Sequence, residues 1–137
     1  MSHNIIPINQ IPQWIKITKS YSDFSAASLT NDISIYTLPI KGYIHDVKII
    51  PTVAFSGGLV SAYSLSVGIS GSLVKYSAAT NVFTGNSTMN TVHTPLAGLE
   101  SVSSTTDIRS QAVAITGLLN TATAGSADFY LLVSILN

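Results

Sequence analysis

Apolar and polar residues alternate with a period of two along most of this chain. Between Ser61 and Ser70, Tyr63, Leu65, Val67 and Ile69 fall on one side of an extended backbone, and Ala62, Ser64, Ser66 and Gly68 on the other. A strand with one buried face reads this way, because successive side chains point to opposite sides of the pleat. The run Ala127–Leu136 sets Phe129, Leu131, Val133 and Ile135 against Tyr130, Leu132, Ser134 and Leu136. Both faces are largely apolar, so this strand is expected at the centre of a sheet, covered on both sides by the fold or by a neighbouring subunit. Gln13–Lys19, Asp32–Leu38, Tyr43–Ile50 and Asp107–Thr116 are expected strands on the same grounds, and Ser87–Thr94 and Leu99–Ser104 show a fainter pattern.

Turn residues separate these runs. Pro39-Ile40-Lys41-Gly42 reads as a tight turn between two strands, as do Gly57-Gly58 and Ser70-Gly71-Ser72, and Thr121–Ser126 reads as a hairpin connection into the last strand. Tyr76–Phe83 and Ala26–Leu29 fit a turn or two of helix as well as they fit loop, and no long amphipathic helix is visible. Roughly eight short strands punctuated by turns predict an all-β protein, an antiparallel β-sandwich or barrel. A jelly roll is the first expectation and an immunoglobulin-like sandwich the second. The predicted organisation is one β-sandwich domain over residues 13–137 behind an extended N-terminal arm over residues 1–12. In that arm Ile5, Ile6, Ile8 and Ile11 are interleaved with Asn4, Pro7, Asn9 and Pro12. So many isoleucines are unfavourable in water, so the arm is expected to dock on its own body or on a neighbour.

Charge then narrows the function classes. Only 9% of the 137 residues are Asp, Glu, Lys or Arg, against roughly 25% in ordinary soluble domains. Six basic and six acidic residues cancel to a net charge of zero, and 46% of the chain is hydrophobic. Ser and Thr supply most of the polarity. Such a surface is poorly protected against association and suits a protein covered by copies of itself or by a larger assembly. No basic stripe is present, so nucleic acid is not an expected partner. Lys16 and Lys19 come nearest to a cluster, and two lysines on an edge strand guard against aggregation. No segment approaches the ~20 apolar residues of a membrane helix. An outer-membrane barrel of eight strands fits the length but lacks aromatic girdles, and no membrane partner is expected. Met1-Ser2-His3-Asn4 shows no secretory leader, and the sequon Asn86-Ser87-Thr88 is what chance produces in a chain so rich in Ser and Thr.

Chemistry is sparse. There is no cysteine, which excludes disulfides, thiolate catalysis and Cys-based zinc sites. His3, His45 and His93 are the only histidines, without HxH or HExxH spacing. His45 and Asp46 are adjacent, so on a regular strand they would face opposite ways and make no dyad. Ser70 sits in no GxSxG elbow. Asp23, Asp32, Asp46, Glu100, Asp107 and Asp128 sit near expected strand ends, where Asp caps or bends the chain rather than forming a catalytic pair. Trp14 and Tyr21, Tyr36, Tyr43, Tyr63, Tyr76 and Tyr130 are candidates for a sugar-stacking platform, for core, or for interface anchors. No catalytic, cofactor-binding or metal-binding residue is assigned, and no enzymatic activity is expected.

Five segments together resemble small β-rich virion proteins of tailed bacteriophages, the capsid decoration and other accessory head or tail proteins. They are Ile40-Lys41-Gly42-Tyr43-Ile44-His45-Asp46-Val47-Lys48-Ile49, Ala54-Phe55-Ser56-Gly57-Gly58, Tyr63-Ser64-Leu65-Ser66-Val67-Gly68-Ile69-Ser70-Gly71, Lys75-Tyr76 and Thr123-Ala124-Gly125-Ser126-Ala127-Asp128-Phe129-Tyr130-Leu131-Leu132-Val133. The resemblance covers the chain from Trp14 onward and rests on alternation with glycine turns. It implies a capsid decoration protein on the capsid exterior, a homo-oligomer with a trimer favoured, held against the major capsid protein or other virion proteins. The alternative is a tail or fibre module that binds carbohydrate or a receptor. A coat subunit of a small shell would be expected to carry a basic segment facing the genome, and none is present.

Overall fold

The computed structural model describes residues 11–83 and 102–136. Seven strands run through them: β1 (Gln13–Ser20), β2 (Thr30–Leu38), β3 (Gly42–Ser56), β4 (Tyr63–Ile69), β5 (Ser72–Asn81), β6 (Thr106–Ala114) and β7 (Ala124–Ile135). They form a three-stranded sheet ordered β1-β7-β3 and a four-stranded sheet ordered β2-β6-β4-β5, with every neighbouring pair antiparallel. The first strand pairs with the last and the second with the last but one, as in a jelly roll wound from a folded-over ribbon. Seven strands rather than eight lie among the described residues. The arm as far as Gln10, Ser87–Thr94, the first part of Leu99–Ser104, His3, His93, Glu100 and the Asn86 sequon lie outside them.

The alternation explains the layers. Ala127, Phe129, Leu131 and Val133 of β7 turn inward and are buried. Phe129 stands in register with Ile17 of β1 and Ile49 of β3. From the other sheet, Tyr63, Leu65 and Val67 of β4 and Ile108, Ala112 and Ala114 of β6 complete the core. The face carrying Arg109, Gln111 and Val113 is therefore the outer one. β7 is central, as its two apolar faces predict, and β1 with its lysines is an edge.

Four expectations are corrected. Tyr76–Phe83 is not helical: residues up to Asn81 belong to β5. Register shifts in the β4–β5 ladder leave the neighbours Tyr76 and Ser77 both buried, so the alternation that marks a strand is erased. Thr121–Ser126 is not a hairpin connection, because β6 and β7 lie in different sheets. The crossing contains a 3₁₀ turn, Leu119–Thr121, held by Leu119, which is fully buried. β3 continues past Ile50 through Pro51 to Ser56. Proline is tolerated there because the ladder shifts register between Pro51 and Val53. Finally, Asp46 and Asp128 lie inside strands rather than at their ends.

At one end of the sandwich Phe24, Phe55 and Tyr63 plug the core. Phe55 meets Phe24 edge-on at 6.4 Å between ring centres and Tyr63 at 4.8 Å. Among the described residues the Tyr63 hydroxyl and Ser110 Oγ are buried without a hydrogen-bond partner, and burial pushes the Tyr63 phenol pKa well above its ordinary value. An unsatisfied buried hydroxyl is a net liability. Tyr63→Phe keeps the ring and removes the orphan group, so it is expected to stabilise the fold by about 1 kcal/mol. Urea unfolding of the two proteins side by side tests this, and a lower midpoint for the variant would show that the hydroxyl is satisfied.

Candidate interaction surfaces

The outer face of the three-stranded sheet holds the most exposed aromatic. Trp14, 46% exposed, stands in register with Leu132, and with Lys48, Ile50 and Tyr130 it lines a shallow groove of about 300 Å³. The Lys48 ammonium lies 5.1 Å from the centre of the Trp14 ring, a cation–π geometry that occupies the face a sugar would stack on. Asp128 is buried beside it. It accepts from Thr18 Oγ1 at 2.6 Å and faces Lys16 Nζ at 3.7 Å. This carboxylate on the groove's face is thus already engaged.

The tyrosines do not gather into one platform. Tyr63 and Tyr76 are core residues, and Tyr21 and Tyr36 pack against the core. Tyr43 packs against His45 with the rings tilted and their centres 4.4 Å apart. That leaves Trp14 and Tyr130 as the pair sharing a surface groove.

His45 corrects the sequence reasoning about its neighbour. The β3–β7 register skips a residue between Ile44 and Asp46, and a bulge of this kind puts both bulged residues on one side of the sheet. Asp46 stands opposite Leu132 on the outer face, and His45 Nε2 lies 2.7 Å from Ser134 Oγ on that same face. Adjacency therefore does not separate His45 from Asp46. Ser134 is 2% exposed, so no substrate carbonyl can reach its hydroxyl, and Asp46 Oδ1 accepts from the Val47 amide at 2.8 Å. The His45–Ser134 contact ties β3 to β7. Ser70, by contrast, sits exposed in the β4–β5 turn.

The outer face of the four-stranded sheet carries an ionic cluster. Arg109 Nε and Nη1 reach Asp32 Oδ2 and Asp107 Oδ2, each at 2.6 Å, and Ser34 Oγ donates to Asp107. The Ser34 hydroxyl, with Arg109 adding to it, holds the Asp107 carboxyl below its ordinary range. Its contribution to stability is present above the unfolded carboxylate pKa and fades as pH falls through the lower folded one. Wild type and Asp107→Asn are therefore expected to differ in melting temperature at neutral pH, modestly for so exposed a group, and to converge as pH falls through the acid range. A difference that does not shrink in acid would show that Asp107 acts through packing rather than charge. Among the described residues, no three His, Asp or Glu side chains gather as a metal site.

A third surface is the end of the sandwich above the Phe24–Phe55–Tyr63 plug, where, among the described residues, three connections are joined by backbone hydrogen bonds. The β6–β7 connection, 115–123, is the hub. Leu119 N and Asn120 N donate to Ser28 O and Ala26 O of the β1–β2 connection, each at 2.9 Å. Thr116 O accepts from Ser61 N of the β3–β4 connection at 3.2 Å. From these joined backbones emerge Leu59, 78% exposed, Ile115, 69%, Leu118, 42%, and Leu29, 40%. Residues 25–29, 57–62 and 115–123 contain no Asp, Glu, Lys or Arg. Asp23, earlier in the β1–β2 connection, is turned back onto the Ser20 amide at 2.8 Å. Reading strand by strand misses this surface, although the uncharged runs Ile49–Val74 and Ser110–Ala127 carry its signal.

No family model matches this chain, and no curated protein matches it. Among solved structures it is similar to a chain of the cyanophage Pam1 capsid asymmetric unit, with a TM-score of 0.65 and 14% identity. The match covers 99% of this chain and 93% of that one. At that identity the likeness is one of fold, and it extends over nearly the whole of both chains.

Proposed function

We propose that this chain is a non-enzymatic structural protein of a tailed-bacteriophage virion, and specifically a capsid decoration protein. In this reading copies associate on the capsid exterior, as trimers, against the major capsid protein. The observation that carries it is the end-to-end fold likeness to a small chain of a phage capsid asymmetric unit. The charge census supports it independently: with 9% charged residues, much of this surface is better covered than left in water. Repetition of a modest contact around a shell reinforces it through multivalency, without chemistry. The arm of residues 1–12, with its four isoleucines, is part of the proposal as a segment that docks on the body or on a neighbour.

A second reading, a carbohydrate- or receptor-binding module of a tail or fibre, has the Trp14–Tyr130 groove in its favour. The lysine over Trp14 and the engaged Asp128 weigh against it.

Light scattering at several concentrations tests self-association. The expected mass is a fixed multiple of 14.4 kDa, three-fold for a trimer. A single-chain mass that persists at high concentration would overturn it.

A further inference from the structure

We infer that the uncharged end of the sandwich, built around Leu59, Ile115, Leu118 and Leu29, is the surface through which copies of this chain meet. The inference rests on the self-association proposed above and assigns it a place.

The first ground is apolar exposure that, among the described residues, packing leaves uncovered. The exposed fractions of these four side chains add up to more than two whole aliphatic residues, gathered on connections that are hydrogen-bonded to one another. Such clustering differs from the scattered single exposures of any surface. The second ground identifies the occupant. Residues around a symmetry axis meet their own copies, and a charged group there would face a like charge. This end largely avoids that penalty, because the one formal charge in its three meeting connections, Asp23, is turned back onto the Ser20 amide at 2.8 Å. The opposite end differs, with Lys41 in its β2–β3 turn, as does the Trp14 face, with Lys16 and Lys48. The third ground is rigidity. The hub is pinned to both neighbouring connections, and Leu119 and Phe24 anchor it from below, both fully buried. Little ordering is then left to be lost on association.

Two variants and the wild type, compared by light scattering, test this. Leu59→Glu with Ile115→Glu places like charges where copies would meet. Trp14→Glu places one on the outer sheet face instead. All three positions are exposed, and circular dichroism and melting temperature verify each fold. The expected result is a wild-type multimer, collapse of the Leu59/Ile115 variant to a single-chain mass, and a Trp14 variant that stays multimeric. A multimer that survives the Leu59/Ile115 change overturns the assignment while leaving self-association standing. A wild type that is a single chain at every concentration overturns both. Should the double variant not fold, thiol labelling decides, because the chain has no cysteine of its own. In the multimer, Leu59→Cys is expected to react with a bulky maleimide far more slowly than Ile40→Cys, which lies in the β2–β3 turn and is 55% exposed in the wild type. Equal rates overturn the assignment.

Discussion

Phe129→Ala is expected to lower folding stability by about 3–5 kcal/mol, a large part of the ~5–15 kcal/mol that holds a domain of this size. Phe129 is fully buried on the central strand of the three-stranded sheet, between Ile17 and Ile49. Its removal opens a cavity that three strands border and that none can close without breaking a ladder. Tyr130, one residue on, points to the opposite, outer face and is only half-buried. Tyr130→Ala is therefore expected to cost clearly less. Urea unfolding of both variants measures the contrast, with the midpoint falling and the slope unchanged for Phe129→Ala. Equal losses would mean that the outer face is covered as fully as the inner one.

Gly117→Ala is the second large effect. Gly117 has a φ of 76°, in the left-handed region that side chains disfavour. It also lies directly against the β3–β4 connection, where a Cβ would overlap the Leu59 carbonyl and the Val60 nitrogen. Those atoms are backbone and cannot swing aside. Strain and overpacking together are expected to cost about 2–5 kcal/mol. Gly71 separates the two causes. Its φ is 87°, but a Cβ there meets nothing within 4 Å, so Gly71→Ala should cost only about 1–2 kcal/mol, from the backbone alone. Thermal melts of the pair test this, and equal shifts would remove the steric part of the account. Because Gly117 seats the hub of the uncharged end, its replacement should also loosen the surface where copies are inferred to meet.

How far the sequence could be read depended on whether each strand keeps a regular register. β4 does so against β6, from Tyr63 opposite Ala114 to Gly68 opposite Arg109, and its inner and outer residues were plain from spacing alone. β7 was legible as a central strand because Phe129 and Tyr130 begin two apolar faces. β5 was not, since slips in its ladder bury Tyr76 and Ser77 together. His45 shows the same limit at the scale of one residue: a bulge cancels the rule that neighbours face apart. The low charge was evident at once, but not where it mattered. Leu29, Leu59, Ile115 and Leu118 are far apart in sequence, and only the crossing of β6 into the other sheet brings their connections to one end. The Trp14–Tyr130 groove likewise needs the β1–β7 pairing, which joins the two ends of the chain.

The measurement that tests the proposed role most directly is the copy number of this chain in phage particles purified on a density gradient, by quantitative mass spectrometry against the major coat protein. A decoration protein is expected in many copies per particle, at a fixed ratio to the coat. Absence from the particles, or a handful of copies as in a tail or fibre part, would contradict it.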